Sequence, residues 1–330
     1  MPHLLIAGKL HPAGLGVLKA TPGLTYDYVE EVSETSYAPL IDRADALVLR
    51  TQPLSAATVA RAGRLKVVSR HGVGYDAVDI KSLDARGIAL AVVGDVNSVS
   101  VAEHAMMMLL ACAKRAVAAD RAVRNPARWG WRNQLEASEI SGRRLLILGY
   151  GRIGRHLARM ARGFGMEVRA FDPFLAAQGW PDGDTTAPVS SLSEGLAWAD
   201  AVSVHAPKGE RPLLDVAELS LLQPGAILVN TARGGVVDEG ALADALASGR
   251  VGAAGLDVFD DEPPNPDHPL LAFEQVLLSP HIAGLTADAA ERMAVASVRN
   301  ALDYLDGRLD PALLVNKDAL ACHVLPSASA

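Results

Sequence analysis

Short apolar runs alternate with helical patterns along the whole chain. Five such runs lie in the first 93 residues: HLLIAG, LTYDYV, ALVLR, LKVVSR and IALAVV. Their length and β-branched content are typical of strands, and amphipathic stretches separate them. Alternating strands and helices indicate βαβ units with parallel strands. This first series therefore predicts a small open sheet of the flavodoxin-like type.

A second series of strand-like runs follows: RRLLILG, MEVRAFD, AVSVHAP, AILVNTA, GAAGLDVF and VLLSPHI. A long helix is predicted between the two series, opening near Ser98 or Ser100 and ending before Asn125-Pro126. Ser100 and Glu103 match the S-x-x-E capping box, which favours a helix start there. The final amphipathic stretch, about residues 285–307, is expected to return to the first domain.

The length and these patterns predict two domains. A chain of 330 residues exceeds what one hydrophobic core usually supports. The expected division is residues 1–97 plus 285–330 for one domain and residues 98–284 for the other. The predicted fold class is α/β, with two doubly wound parallel-sheet domains.

Composition narrows the classes of partner and compartment. The formal net charge of −7 argues against nucleic acid or an anionic membrane surface as a main partner. The two cysteines, Cys112 and Cys322, predict no disulfide framework and favour a reducing compartment, the cytoplasm. The start MPHLLIAGK has no basic segment typical of a signal peptide, and the apolar run at 105–113 is too short to span a bilayer.

A glycine motif predicts a dinucleotide site. In LLILGYGRIGRHLA, Gly149, Gly151 and Gly154 form G-x-G-x-x-G between a strand and a helix. The glycines allow a tight turn, close approach of a pyrophosphate and close helix–strand packing. Asp172 ends the next strand, where a carboxylate binds ribose hydroxyls and repels a 2′-phosphate, which favours NAD over NADP. The alternatives are a glycine-rich turn without a ligand and, for Asp172, a turn former before Pro173.

Two titratable residues end apolar runs in VFDDEPPNPDHPLLAFEQVLLSPHIAG, residues 258–284. Glu262 follows one run, and His281 ends another nineteen residues later. Ligands of open α/β sheets bind at the carboxyl ends of the strands, so the two predict an acid–base pair there. Glu262 would favour the imidazolium form of His281 and select one ring tautomer. A structural ion pair is the alternative. The proline-rich loop 260–270 is predicted to be an ordered active-site loop.

Five stretches of the sequence carry a resemblance to a known family. With the glycine motif and NSVSVAEHAMMMLL, the stretches VNTARGGVVDE, GLDVFDDEPP and SPHIAG closely resemble the D-isomer-specific 2-hydroxyacid dehydrogenases. The resemblance covers essentially the whole chain. It implies a flavodoxin-like substrate domain (1–97 plus 285–330) and a Rossmann NAD-binding domain (98–284). It implies NAD as the cofactor and no metal, with Arg233, Glu262 and His281 as the catalytic set. Arg233 would bind the substrate carboxylate and polarise the carbonyl oxygen.

The resemblance also implies two sets of binding residues. The cofactor set comprises Gly149, Gly151, Arg152, Ile153, Gly154, Asp172, His205, Ala206, Pro207, Thr231, Ala232, Asp257, His281 and Gly284. The substrate set comprises Arg50, Thr51, His71, Gly72, Val73, Gly74, Asn97 and Arg233. The first domain is expected to close on the substrate, with the backbone N–H groups of the Gly72–Gly74 turn on its carboxylate.

Several histidines and arginines outside the catalytic set have alternative interpretations. For His205 the two interpretations are a position near the nicotinamide and a packed histidine at a strand end. For His71 they are a contact with the distal end of the substrate and a solvated loop residue. His104 is interpreted as structural and His268 as a loop residue. A basic stretch is interpreted as a homodimer interface of the NAD-binding domain or as a solvated face: Arg121, Arg124 and Arg128, with Arg115 and Trp131 nearby.

The substrate is expected to be a small 2-oxo or 2-hydroxy acid, with hydroxypyruvate or glyoxylate favoured. RHGVGYDAVD is similar to the corresponding motif of D-3-phosphoglycerate dehydrogenases, which is the alternative. The phosphate of that substrate would need more positive charge than Arg50 alone supplies. Arg132 of the partner subunit would add one further positive charge. A second class is an NAD-sensing corepressor, which carries long peptide-recruiting extensions not found in this sequence. Formate dehydrogenases place glutamine where Glu262 stands, which disfavours that activity.

Overall fold

The computed structural model describes residues 1–181 and 183–323 and divides into two compact units. One unit comprises Met1–Asn97 and the segment that begins at Thr286, and the other is Ser98–Leu285. Each unit contains one sheet, and all neighbouring named strands in the described residues are parallel. The predicted α/β fold class is thereby confirmed.

The first unit has a five-stranded sheet in the order β2-β1-β3-β4-β5, as in flavodoxin-like folds. Its strands are β1 (His3–Ala7), β2 (Thr25–Val29), β3 (Ala46–Leu49), β4 (Val67–Arg70) and β5 (Ala89–Ala91). Its helices are α1 (Pro12–Ala20), α2 (Glu34–Tyr37), α3 (Ala56–Arg61), α4 (Ile80–Ala85), α12 (Ala287–Leu305) and α13 (Lys317–His323). Short 3₁₀ helices span Ala38–Arg43 and Pro311–Leu313.

The final long helix, α12, packs on the first sheet. Its Ala294, Val298 and Ala301 are fully buried in a core shared with β1, β3 and β4. The helix also packs closely on α1, because a Cβ added at Gly14 would lie 2.9 Å from the Cβ of Ala294. Thr286 caps the N-terminus of the helix, since its side chain accepts a hydrogen bond from the Ala289 N–H at 3.1 Å. Small residues on its buried face thus return the end of the chain to the first unit.

The second unit has a seven-stranded sheet in the order β12-β11-β10-β9-β6-β7-β8. Its strands are β6 (Arg144–Leu148), β7 (Glu167–Phe171), β8 (Ala187–Pro188), β9 (Ala201–Val204), β10 (Ala226–Asn230), β11 (Val251–Leu256) and β12 (Val276–Leu278). Its helices are α5 (Ser98–Ala113), α6 (Ala116–Arg124), α7 (Arg152–Gly163), α8 (Pro173–Gln178), α9 (Leu192–Trp198), α10 (Val216–Ser220) and α11 (Glu239–Ala247). Short 3₁₀ helices span Pro126–Asn133 and Pro269–Ala272. The strand order reverses beside β6, which is where the Rossmann fold binds its ligand.

Both faces of this second sheet are covered by helices whose buried sides are apolar. One core contains side chains of α9, α10 and α11, and the other contains side chains of α5 and α7. A parallel sheet covered on both faces explains why its strands are nearly continuous apolar runs. Within residues 1–181 and 183–323, the structure has no helix long and apolar enough to cross a membrane.

The predicted strands are all found, but the helix between the two series differs from the prediction. Among the strands of the described residues, only β8, a two-residue strand that contains a proline, lacks a counterpart among the eleven predicted runs. The helix begins at Ser98, so Ser100 lies inside α5 and the predicted capping box is wrong. It is also two helices, separated at Arg115, which has a left-handed φ of 52°. The Ser138 N–H donates to the Ala113 carbonyl oxygen at 2.8 Å, and this tertiary bond takes the acceptor that a continuous helix would use.

Candidate active site at the carboxyl edge of the second sheet

Six neighbouring strands of the second sheet end at the same level. The strand register pairs their last residues in the order Phe171, Leu148, Val204, Asn230, Leu256 and Leu278. The residues that follow at this edge are Asp172, Gly149, His205, Thr231, Asp257 and Ser279. Five of the six belong to the predicted cofactor set, so the sheet brings that set together along one edge.

The three glycines of the motif have different physical roles. Gly149 has a φ of +90°, and a Cβ there would lie 2.6 Å from the His205 carbonyl oxygen. A Cβ at Gly154 would lie 2.5 Å from the Gly149 carbonyl oxygen. A Cβ at Gly151 would meet no described protein atom within 4 Å, and this glycine caps the N-terminus of α7. Two glycines are therefore required by packing, and the third leaves the helix terminus accessible to a phosphate.

Asp172 joins the glycine loop to α8. One oxygen, Oδ2, accepts from the Tyr150 N–H at 2.8 Å, and Oδ1 accepts from the Leu175 N–H at 3.0 Å. The residue thus caps α8, as the turn-forming alternative predicts. A carboxylate has about four acceptor sites, so both oxygens retain one for a ribose hydroxyl.

Two buried polar atoms at this edge lack a hydrogen-bond partner among the described residues. They are Nδ1 of His205 and Oγ1 of Thr231, which follow β9 and β10. The other ring nitrogen of His205, Nε2, lies 2.9 Å from the Ser203 hydroxyl oxygen. Burial lowers the pKa of His205 to about 4, so its ring is neutral near pH 7. Because buried polar atoms normally have partners, the two atoms fit a site for a polar ligand such as a dinucleotide.

His281 and Glu262 form the pair that the sequence predicts. The Nδ1 atom of His281 lies 2.7 Å from Oε2 of Glu262, and the two side chains are 50% and 38% exposed. The second oxygen of Glu262, Oε1, accepts from the Phe259 N–H at 3.1 Å. Because Glu262 holds Nδ1, the Nε2 atom of His281 is the ring position left for proton exchange with a substrate.

The turn that carries His281 is held by Asp257. His281 has a left-handed φ of 53°, and its N–H donates to the Asp257 carbonyl oxygen at 2.8 Å. The Asp257 carboxylate accepts from the Ile282 N–H at 2.9 Å and from the Ala283 N–H at 2.8 Å. Asp257 is only 1% exposed. It therefore fixes three consecutive residues of the turn from beneath.

Arg233 lies on a turn that is held from both sides. The Asn230 side chain accepts from the Ala232 N–H and donates to the Arg233 carbonyl oxygen, both at 3.0 Å. One guanidinium nitrogen, Nη1, donates to the Ala232 carbonyl oxygen at 2.7 Å. A Cβ at Gly234 would lie 1.8 Å from the Phe259 carbonyl oxygen, so only glycine fits against the segment that leads to Glu262. The glycine pair in TARGG is the sequence signal for this contact, which the apolar pattern alone does not predict.

The loop 260–270 is fastened to α11 by Glu239. Its Oε1 accepts from the Asp260 N–H at 2.8 Å, and its Oε2 lies 2.9 Å from Nε2 of His268. The other ring nitrogen of His268 accepts from the Leu270 N–H at 3.3 Å, which caps the 3₁₀ helix Pro269–Ala272. His268 is thus a clamp of this loop. Neither Glu239 nor its contact with His268 was predicted.

The predicted substrate residues of the first unit lie mainly at the carboxyl edge of its own sheet. Leu49 pairs with Arg70, so Arg50 and His71 follow neighbouring strands at one level. Gly72 has a φ of +144° and open space where a Cβ would be. His71 is 7% exposed, so its interpretation as a solvated loop residue is wrong. Burial, with a smaller contribution from the charges of Arg50 and Arg70, lowers the pKa of His71 to about 4.

We expect the protein to lose stability as the pH falls from about 6.5 toward 4. Burial lowers the pKa of both His71 and His205 to about 4, whereas an unfolded histidine titrates near ~6.5. The unfolded chain therefore binds protons first, and the free energy of unfolding falls with pH by up to roughly 3 kcal/mol per histidine. Urea unfolding at several pH values measures this loss. His71→Gln and His205→Gln should each lose less on acidification, and a loss equal to that of the unmodified protein would contradict the assignment.

The chain is similar to several known proteins. Residues 106–283 match the family model "D-isomer specific 2-hydroxyacid dehydrogenase, NAD binding domain". The chain is 39% identical over 312 residues to a D-3-phosphoglycerate dehydrogenase of Mycobacterium tuberculosis, covering 92% of this chain and 57% of that protein. It thus spans little more than half the length of that relative. It is 34% identical over 340 residues to a glyoxylate reductase of Aeropyrum pernix, covering 97% of each. A crystal structure of a Thermus thermophilus protein superposes with a TM-score of 0.86 at 33% identity, covering 95% of this chain and 99% of that one.

Proposed function

Because the chain belongs to the D-isomer specific 2-hydroxyacid dehydrogenase family, we propose that it transfers a hydride between NAD(H) and a small D-2-hydroxy or 2-oxo acid. Its second unit contains the NAD-binding domain of the family, and NAD(H) is its cofactor. The observation that carries the proposal is the 2.7 Å contact between His281 and Glu262 at the sheet edge that also holds the glycine loop.

The reaction needs a proton acceptor beside the carbon that loses the hydride. In the oxidative direction Nε2 of His281 takes the hydroxyl proton, and in the reductive direction it returns a proton to the carbonyl oxygen. Glu262 stabilises the imidazolium form through a charge-assisted hydrogen bond to Nδ1–H. Arg233 binds the substrate carboxylate with its planar guanidinium and polarises the reacting oxygen. When bound, the nicotinamide accepts or supplies the hydride.

The remaining predicted residues have proposed binding roles. The glycine loop and the N-terminus of α7 bind the pyrophosphate, and Asp172 accepts from the adenosine ribose. In the first unit, the Gly72–Gly74 turn binds a carboxylate through its backbone N–H groups, beside Arg50 and His71. Support comes from the open backbone at Gly72 and Gly151, where a Cβ would meet no described protein atom within 4 Å.

Hydroxypyruvate or glyoxylate is the proposed substrate, and D-3-phosphoglycerate is the alternative. His71 is neutral near pH 7 because burial lowers its pKa to about 4, so it adds no charge for a phosphate beside Arg50. The Gln52 side chain contacts the Thr51 N–H and the Glu31 carbonyl oxygen, and it carries no charge. The neutral imidazole of His71, which has one donor and one acceptor nitrogen, suits the hydroxyl or aldehyde end of a small acid better than a phosphate.

A kinetic panel tests the proposed activity. NADH oxidation should be measured with a dozen 2-oxo acids that include glyoxylate, hydroxypyruvate and phosphohydroxypyruvate. Higher kcat/KM with glyoxylate or hydroxypyruvate would support the small-acid substrate, and higher kcat/KM with phosphohydroxypyruvate would support the alternative. NADH binding without turnover on any of these acids would instead favour an NAD-sensing binding protein.

We expect at least a tenfold preference in kcat/KM for NADH over NADPH, about 1.4 kcal/mol. Asp172 directly follows β7, and its carboxylate lies beside the glycine loop, where it would repel a 2′-phosphate. Asp172→Ser keeps a side-chain oxygen to cap α8 but removes the charge, so the preference should narrow. Equal efficiency with both cofactors in the unmodified protein would remove Asp172 from this role.

A homodimer through the second unit is the proposed assembly. The segment from α6 to residue 135 exposes three large apolar side chains: Val123, Trp129 and Leu135. Such side chains between arginines favour a protein interface over a purely solvated face. Arg124 pairs with Asp120 at 2.7 Å within α6, and Arg132 lies over the Trp129 ring.

The cytoplasm is the proposed compartment, in keeping with the low cysteine content.

A further inference from the structure

A second chain of polar side chains lies behind the turn that carries His281. His104 on α5 places Nε2 2.9 Å from the hydroxyl oxygen of Ser279. That hydroxyl donates to Oδ1 of Asp257, and Nε2 of His104 lies 3.7 Å from the same carboxylate oxygen. The side chains of His104 and Asp257 are 15% and 1% exposed. His104 and Asp257 are therefore largely shielded from water, unlike the His281–Glu262 pair.

The hydrogen-bonding capacities of these groups determine which one donates. An ionised carboxylate only accepts, so the single hydroxyl proton of Ser279 is used by Asp257. Ser279 can therefore only accept from His104, which requires a proton on Nε2 of that ring. His104 is thus a donor at the end of a chain that runs through Ser279 to Asp257.

This chain ends at the groups that set the position of His281. The Asp257 carboxylate also receives the N–H groups of Ile282 and Ala283, and its carbonyl oxygen receives the His281 N–H. A carboxylate this deeply buried is stable only when donors compensate its lost hydration. The left-handed φ of 53° at His281 likewise persists only when neighbouring contacts hold it.

We propose that His104 is a positioning residue for the acid–base histidine, acting through Ser279 and Asp257. This inference rests on the proposed function, since it concerns the same pair of His281 and Glu262. His104 donates to Ser279, Ser279 donates to Asp257, and Asp257 holds the turn at residues 281–283 from beneath. Loss of the His104 donor weakens the hydrogen-bonded chain that offsets the lost hydration of the Asp257 carboxylate. The turn is then held less firmly, and the His281 ring leaves its alignment with Glu262. A purely structural histidine would affect stability without this effect on the ring.

Two substitutions of His104 separate positioning from mere packing. His104→Leu keeps an apolar volume and removes the donor, whereas His104→Gln offers an amide N–H near the position of Nε2. On a responsive 2-oxo acid, His104→Leu should lower kcat by about tenfold, because small misplacements of reacting groups cost this much or more. His104→Gln should restore kcat to within about threefold, and the KM for NADH should change little in either variant. Ser279→Ala breaks the same chain, and its effect should not add to that of His104→Leu.

A second readout is independent of turnover. In protein labelled with ¹⁵N-histidine and free of ligands, the ring signals of His281 should shift in His104→Leu and Ser279→Ala and return in His104→Gln. His281→Ala identifies those signals and tests the proposed function, which fails if this variant retains a near-normal rate. Unchanged His281 signals and unchanged kcat in His104→Leu would overturn the positioning role, as would equal losses in the Leu and Gln variants.

Discussion

Replacement of His281 by alanine should lower kcat for reduction of a responsive 2-oxo acid by about 10²–10⁴-fold, the usual contribution of a positioned acid–base group. The ring is held by Glu262 at 2.7 Å and is half exposed, so its Nε2 atom is available to a substrate. Without it, the proton must come from water, which is not positioned. Steady-state rates at saturating NADH over a range of pH measure the loss.

Two control variants separate the chemistry of His281 from its backbone. His281 has a φ of 53°, a conformation that asparagine tolerates better than alanine, so His281→Asn removes the acid while favouring the same turn. His281→Asn and His281→Ala should lose activity to a similar extent and still bind NADH. Glu262→Gln keeps a hydrogen-bond acceptor for Nδ1–H but removes the charge, so its kcat should fall less than that of His281→Ala. A near-normal rate in His281→Ala would leave the pair as a structural ion pair.

Replacement of Arg233 by alanine should lower kcat/KM by about 10²–10³-fold, with KM raised and kcat reduced together. The guanidinium is proposed to bind the substrate carboxylate, which is a ground-state contact, and to stabilise charge on the reacting oxygen, which is a transition-state contact. Losing both kinds of interaction affects binding and rate at once. Initial rates over a range of 2-oxo acid concentrations separate the two parameters.

The turn at Arg233 should survive this substitution. Asn230 holds the turn through main-chain atoms of residues 232 and 233, and Gly234 packs against the Phe259 carbonyl oxygen. NADH affinity should therefore change little. Arg233→Lys keeps the charge but loses the planar fork, so it should have an intermediate kcat/KM. If Arg233→Ala altered KM alone, the residue would bind substrate without contributing to the chemical step.

The strands and the glycine loop were predictable because their signals are local. Most of the predicted strands are nearly continuous apolar runs, and a parallel sheet covered on both faces requires this pattern. Gly149 and Gly154 could be assigned because a known turn allows no Cβ at those points, and the close contacts at both positions agree. The pairing of His281 with Glu262 was also predictable, since the segments that follow two adjacent parallel strands, here β11 and β12, meet at one edge of the sheet.

The features that were predicted wrongly or not at all depend on contacts between residues that are distant in sequence. The break between α5 and α6 depends on Ser138, which takes the Ala113 carbonyl oxygen, and no local pattern near Arg115 contains that bond. The clamp of loop 260–270 by Glu239 joins residues more than twenty positions apart. His71 was open to two interpretations until burial and the lowered pKa excluded a solvated ring.

The sequence by itself determined the α/β class, the succession of strands and helices, and the residue types at the strand ends, because these depend on periodicity and on backbone constraints within short segments. The tertiary structure alone decided which buried side chains support the site. His104 and Ser279 are 175 positions apart, yet they are joined at 2.9 Å. A contact of this kind depends on how α5 packs against the carboxyl edge of the sheet, and no pattern within either segment encodes that distance.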